Sequence, residues 1–409
     1  MTIGFDASRA FVEGRTGTEN YSYQLLKALA KIDTENHYLI YLRESQKSKV
    51  KSQNWPENFK FVTINMPRLW TQVGLSFRTW IDPLDVLFVP SHTLPLMKKP
   101  GLKTVLTVHD LGAEYLPGFH QLKQVLYLKL MTYYQLKTAT KIIAVSAATK
   151  EDIIRKVGVP EKNIEVVHEG VGEEFKRQNS KGKNDVVNDI VKRYDLEREK
   201  YFLFVGTIQP RKNLVRLITA FSNFLSKTDS ANKQVLSSKY QVVGDRKNAN
   251  TRLLNTQYII PNIKLVLVGQ KGWKSEEIYK LPEQLGIEDR VVFTGRIPDE
   301  DLVGLYNGAM ALTYPSLFEG FGLPILEAMA CGCPVITSNI SSMPEVAGNS
   351  AILVDPYNIQ EIAGAMNKIT LDDTLRSSMI KKGIVRAGQF GWEKAAREML
   401  EILKESVKE

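Results

Sequence analysis

The chain has 409 residues, 43% of them hydrophobic and 24% charged, with a formal net charge of +9. That length exceeds one ordinary hydrophobic core, so two domains are expected, and the composition excludes a disordered chain. No apolar run approaches the roughly 20 residues of a membrane-spanning helix, and the basic balance suits nucleic acid, an acidic lipid surface or a phosphorylated substrate without choosing among them.

The start, Met1-Thr-Ile-Gly-Phe-Asp6, meets an acid before any apolar core develops, so no signal peptide is expected. Cys331 and Cys333 are the two cysteines and have no second metal-binding pair, which suggests a reduced cytoplasmic protein. Thr2 to Asp6 reads as a short strand, and Asn20 to Lys31 carries apolar residues at helical spacing. Between them lies Gly14-Arg-Thr-Gly17-Thr18, a glycine loop that suits either an anion or substrate site or an ordinary strand–helix turn. His37 to Leu42 and Phe59 to Ile64 are further strands. Asp85 to Pro90 and Lys103 to Val108 are near-continuous apolar runs, the pattern of parallel strands covered on both faces. His92 and His109 follow their C-terminal ends, the edge at which open α/β sheets bind ligands. Gln121 to Lys141 sets Lys123, Lys129, Lys137 and Lys141 among apolar residues. Such a helix suits an anionic membrane, or is an ordinary domain helix with a solvated lysine edge, the favoured reading. Lys141 to Ser146 repeats the strand pattern with Ser146 at the same edge, and Val159 to His168 supplies one more strand before His168-Glu-Gly-Val171.

From Glu173 to Lys200 the chain turns charged and polar, and the interdomain linker is placed there. Tyr201 to Val205 opens a second alternating series, followed by Gly206-Thr-Ile-Gln-Pro-Arg-Lys-Asn213 and a helix from Leu214. Ser226 to Asn262 is unusually polar and reads as a surface insertion without an assigned role. Ile263 to Val268 ends at Gly269, Arg290 to Thr294 ends at Gly295-Arg-Ile-Pro298, and Met310 to Tyr314 ends at Pro315. Pro334 to Thr337 and Ala351 to Val354 complete the series, implying a second parallel sheet with helices on both faces. Asp299-Glu-Asp301 is explained by capping and first-turn dipole effects before a helix from Leu302 to Gly308, so no metal is expected there. Cys331 and Cys333 read as small packing residues, and Trp392 to Lys408 as an amphipathic helix.

The stretch around which the rest is organised is Ser316-Leu-Phe-Glu-Gly-Phe-Gly-Leu-Pro-Ile-Leu-Glu327. A strand end, Gly320 and Gly322, and Pro324 at the start of a helix bring backbone N–H groups and a positive dipole end to one point. Glu319 and Glu327 bracket that point, so the residues read as a nucleotide-diphosphate site with an acid at each end, while Arg211-Lys212 taken alone reads as a solvated turn before a helix.

With Ala-Met-Ala-Cys-Gly-Cys-Pro-Val335 after it, this stretch resembles the E-x7-E signature of family 4 retaining glycosyltransferases of the GT-B fold, a group that includes bacterial mannosyl- and glucosyltransferases. Gly206 to Asn213 resembles the family's donor-phosphate loop, His109-Asp110 its acceptor-side histidine, and Gly14 to Gly17 its N-terminal glycine loop. Gly269 to Trp273, Phe293 to Ile297 and Phe390-Gly-Trp392 fit its later landmarks, while Thr207 stands where many members carry arginine. That departure makes Arg211 the second cation beside Lys212.

The resemblance implies an α/β protein with two doubly wound, Rossmann-like domains facing across a cleft. Residues 1–180 plus 391–409 would bind the acceptor, and 181–390 the nucleotide-sugar, with the C-terminal helix returning to the first domain. The implied donor is a GDP- or UDP-sugar carrying mannose or glucose, and the acceptor a glycan or lipid-linked sugar. No cofactor, metal or nucleic acid is implied, and the location is cytoplasmic, at the inner membrane face if the acceptor is lipid-linked. Arg211 and Lys212 would hold the diphosphate, with backbone N–H groups from Gly320, Phe321, Gly322 and Leu323. Glu327 would hold the ribose hydroxyls, and Gly269, Arg296 and Ile297 would line the donor. Glu319 would face the transferred sugar and His109 a sugar hydroxyl or phosphate. Gly14, Gly17, Thr18 and Ser146 fall on the acceptor side. Two alternatives stand beside this reading: a synthase of the same fold acting on a free sugar or sugar phosphate, and an NAD-type Rossmann protein, which lacks its G-x-G-x-x-G after the first strand.

Overall fold

The computed structural model describes residues 1–15, 17–51, 53–91, 93–111, 132–176, 183–227 and 262–409. The chain divides into two compact units: Met1–Gly172 with Glu319–Leu323 and Gln389–Glu409, and Glu173–Phe318 with Pro324–Gly388. The expected limits fell at 180 and 390 and put Glu319 to Leu323 in the second domain; by contact this short stretch belongs to the first unit.

The first unit is built on seven parallel strands: β1 (Thr2–Asp6), β2 (His37–Arg43), β3 (Phe59–Ile64), β4 (Val86–Val89), β5 (Lys103–Val108), β6 (Lys141–Ala144) and β7 (Ile164–Val166). Their order is β3-β2-β1-β4-β5-β6-β7, so the winding reverses between β1 and β4. Ile3 lies opposite both Tyr38 of β2 and Val86 of β4. Apolar side chains on both faces, among them Phe5, Leu87, Leu106 and Ile142, are fully buried, as a sheet covered twice requires. The strand expected from Val159 begins only at Ile164, because Pro160 cannot donate to a ladder and Glu161–Asn163 forms a tight turn. The helix expected from Asn20 opens earlier, at Gly17, and runs to Ile32. The C-terminal helix Trp392–Lys408 packs beside it through buried Ala396, Met399 and Leu403, with Lys31 ion-paired to Glu393.

The second unit repeats the plan with β8 (Tyr201–Val205), β9 (Lys264–Val268), β10 (Val291–Gly295), β11 (Ala311–Tyr314), β12 (Val335–Ser338) and β13 (Ile352–Val354). The order β10-β9-β8-β11-β12-β13 reverses between β8 and β11. Helix Asp299–Gly308 starts directly after Pro298, whose side chain cannot cap. The acidic triplet therefore fills the first turn rather than the cap, and Asp301 accepts hydrogen bonds from Arg193 Nη1 at 3.0 Å and Tyr194 Oη at 2.7 Å. Cys331 and Cys333 are buried, and burial pushes the Cys333 thiol up to about 12. Among the described residues no helix is long and apolar enough to cross a membrane, and no group of three or more His, Cys, Asp or Glu could hold a metal ion. His92, the basic helix as far as residue 131, and residues 228–261 of the insertion lie outside the described residues.

Candidate active site

In open α/β sheets ligands bind beyond the carboxyl ends of the strands where the winding reverses. In the second unit that point lies between β8 and β11, and the chain leaving β8 is Gly206 to Asn213. Three glycines end three adjacent strands here. Gly206 N–H donates to Val268 O and Gly269 N–H to Gly295 O, both at 2.9 Å, and Ile208 N–H continues the seam to Gln270 O. A Cβ on Gly269 would sit 2.0 Å from Gly206 O, and its φ of 150° is one that L side chains rarely adopt. The expected donor-lining role of Gly269 thus coincides with a backbone contact that only glycine permits. Beyond β10, Arg296 is exposed, whereas Ile297 is buried, so its side chain serves the core.

The cations sit in the tight turn Pro210–Lys212. Asn213 closes the turn in a left-handed conformation (φ 62°), and its amide donates to Pro315 O at 3.0 Å and Pro356 O at 2.7 Å. The turn is thereby fixed to the end of β11. Leu317 N–H donates to Arg211 O, and the Arg211 guanidinium reaches Phe318 O at 3.4 Å. Lys212 is only 7% exposed; its Nζ donates to Tyr314 Oη at 2.7 Å and lies 5.0 Å from that ring's centroid. Tyr314 is itself stacked on Phe204. A desolvated ammonium is costly to bury, and the same desolvation strengthens its attraction for any anion arriving at this edge.

Glu327 lies beyond the first turn of helix Leu323–Ala330, so dipole complementarity does not account for it. It is half-buried and accepts a hydrogen bond from Tyr306 Oη at 2.9 Å. Burial, and then the neighbouring Glu327 charge, hold the Tyr306 hydroxyl well above its ordinary range, so it stays a donor. Tyr306 went unremarked in the sequence because its position reads as an apolar face of a helix.

In the first unit the segment 319–323 rests against the ends of β5 and β6. A Cβ on Gly320 would lie 1.6 Å from His109 O, so no other residue fits. Gly320 O accepts from Ser146 Oγ at 2.6 Å and Thr149 Oγ1 at 3.1 Å. Because the peptide is planar and trans, the Phe321 N–H is aimed away from these hydroxyls. Gly322 has φ 106°, and the buried Phe321 ring packs on His168 and Phe390, each at 5.9 Å. Phe321 can therefore offer a ligand its backbone only. Leu323 begins the helix, and Glu319 is 6% exposed. Ser146, expected on the acceptor side, is fully buried and caps helix Ala147–Asp152 by accepting from Thr149 N–H; its hydroxyl holds the glycine loop, not an acceptor.

His109 also differs from expectation. Its Nδ1 lies 3.0 Å from Glu169 Oε1 and its Nε2 3.1 Å from Pro90 O, while the Tyr21 ring packs edge-on at 4.6 Å. Burial alone would lower the imidazole's pKa, but the Glu169 hydrogen bond and charge, the Pro90 carbonyl and Asp110 outweigh it and raise it. Both ring nitrogens are thus engaged within the protein, so His109 has no ring nitrogen turned to a sugar hydroxyl. The missed residue is Glu169, 5% exposed, and its only sequence signal was an acid just past a strand end. Gly14 (φ 65°) stands before helix Gly17–Ile32, which Gly17 opens, with Thr18 half-buried in its first turn.

Comparison with known proteins joins these features. Residues 187–386 match the family described as Glycosyl transferases group 1, and residues 15–175 match Glycosyltransferase Family 4. O-antigen chain mannosyltransferase B of Escherichia coli is 30% identical over 302 residues, covering 74% of this chain and 70% of that protein. Serotype-specific mannosyltransferase WbdA of E. coli is 28% identical over 307 residues, 73% of this chain but only 33% of WbdA, so the chain spans about a third of that relative. Anabaena HepE, crystallised in complex with UDP and glucose, shares the fold with a TM-score of 0.70 at 17% identity, over 99% of this chain and 100% of that one. With family matches on both parallel-sheet units and a relative of that similarity, the chain belongs to the group 1 and family 4 glycosyltransferases, enzymes of the GT-B fold.

Proposed function

We propose that the chain transfers a hexose, mannose before glucose, from a GDP- or UDP-sugar to a glycan or lipid-linked acceptor, with retention at the anomeric carbon. The observation that carries this is the buried Lys212, fixed beside Arg211 at the winding reversal of the second sheet. Departure of the diphosphate is the demanding step, because negative charge grows on it as the sugar leaves. Preorganised cations and backbone donors lower that barrier. Arg211 and Lys212 supply the counter-charge without a metal. Glu327, steadied by Tyr306, accepts the ribose hydroxyls as acids do in dinucleotide folds. Glu319 faces the transferred sugar and stabilises its developing positive charge. The acceptor attacks on the face the diphosphate leaves and passes its proton to that phosphate, rather than through a covalent adduct on Glu319 of the glycosidase kind. Mannose is favoured by the relatives' names, and a uridine donor has support from HepE's bound UDP. A lipid-linked acceptor would place the enzyme at the inner membrane face.

The test is a transfer assay with GDP-mannose, UDP-glucose and their epimers against lipid-linked oligosaccharide acceptors, with product anomers read by NMR. An α-linked product from an α-linked donor is expected. An inverted product, or turnover that survives Lys212→Ala, would contradict the assignment.

A further inference from the structure

The ammonium of Lys212 ends a flexible four-carbon stem, and such a side chain keeps one position only where its surroundings fix it. Its surroundings in the second unit do so. The stem runs past Gly206, where an added Cβ would lie 3.4 Å from Lys212 Cε and 3.7 Å from Nζ. The ammonium then reaches the Tyr314 ring and donates to the Tyr314 hydroxyl at 2.7 Å. Tyr314 is 1% exposed, and its ring stacks on the fully buried Phe204 at 5.7 Å with the planes 17° apart.

The backbone beneath that ring is held as firmly. Tyr314 ends β11 opposite Thr337 of β12, whose hydroxyl donates to Tyr314 O at 2.9 Å. The next carbonyl, Pro315 O, takes the Asn213 amide from the turn that carries Lys212. The sheet thus fixes the phenol, and the phenol fixes the ammonium. A phenol accepts the hydrogen bond and leaves the lysine's charge intact, whereas a carboxylate at the same point would cancel much of it. A charge already in place where negative charge grows needs no rearrangement as the sugar bond breaks. We infer that Tyr314 is a positioning residue for sugar transfer, holding Lys212 against the departing diphosphate through its hydroxyl. This rests on the transfer reading of the site and adds a residue to it. In the sequence Tyr314 is only the last residue of an apolar run.

The experiment is a double-mutant cycle on the full chain with Tyr314→Phe, Lys212→Ala and both together. Tyr314→Phe keeps the ring on Phe204 and deletes the hydroxyl alone. Calorimetry follows GDP and UDP, which carry the full charge of the departed group, beside GDP-mannose and UDP-glucose. Tyr314→Phe should weaken the diphosphate that the wild type binds about tenfold, and the matching nucleotide-sugar about threefold. In the Lys212→Ala background it should change either affinity less than about twofold. A hydroxyl that only stabilised the fold would weaken both ligands alike and in both backgrounds. Where Tyr314→Phe melts too low to titrate, Phe204→Leu replaces it. That variant loosens the ring and keeps the hydroxyl, and its smaller loss should also vanish in Lys212→Ala. Affinities of Tyr314→Phe within about twofold of wild type, or equal losses with and without Lys212, would overturn the inference and leave the transfer reading standing. A wild type that binds none of the four ligands would overturn both.

Discussion

The two sheets reverse their winding in the same way, yet their carboxyl edges are furnished differently. In the first unit the polar groups answer one another: His109 lies between Glu169 and the Pro90 carbonyl, and Ser146 and Thr149 both bind Gly320 O. In the second unit a turn carrying Arg211 and the buried Lys212 meets backbone carbonyls and a neutral phenol. One edge is a clamp that fixes a glycine loop, and the other concentrates positive charge. A doubly wound sheet thus marks where chemistry can occur, and the side chains placed there decide whether that edge holds the protein or a ligand.

The clamp can be broken most severely at Gly320. Gly320→Ala drives a methyl into His109 O and should destabilise the chain by about 4 kcal/mol, visible as a lowered melting temperature. Glu169→Ala leaves the buried His109 ring without its carboxylate partner and should cost about 3 kcal/mol in denaturant melts. On the charged edge, Lys212→Ala should reduce kcat/KM about 100-fold with an unchanged circular dichroism spectrum. Glu169→Gln sharpens the contrast through pH. His109's folded pKa is raised, so the pair's stabilisation is complete below the ordinary value of 6.5 and is lost as pH rises through the folded value. The difference in melting temperature between wild type and Glu169→Gln should therefore be largest below pH 6.5 and narrow as pH rises above it. Tyr306→Phe removes one hydrogen bond to Glu327 and should weaken donor binding about fivefold, near 1 kcal/mol, by calorimetry.

Much of this was legible in the residues. Near-continuous apolar runs such as Lys103 to Val108 and Tyr201 to Val205 matched their strands residue for residue, because a strand buried on both faces leaves little room for charged interruption. The glycines at 269 and 320 were visible as glycines, but the contacts that require them come from chain far away in sequence. Pairings across long separations were not readable either: Glu169 lies 60 residues from His109, and Tyr306 lies 21 from Glu327. Ser146 illustrates the reverse error. Its place at a strand end suggested ligand binding, and only the loop carbonyl 174 residues away shows what its hydroxyl does.

Calorimetric titration of the full chain with GDP-mannose and UDP-glucose, repeated on Lys212→Ala, tests most directly whether the charged edge holds a nucleotide-sugar. The expected result is saturable binding of one donor by the wild type and a loss of about tenfold or more in the variant. Binding of neither donor by the wild type, or equal affinity in the variant, would contradict it.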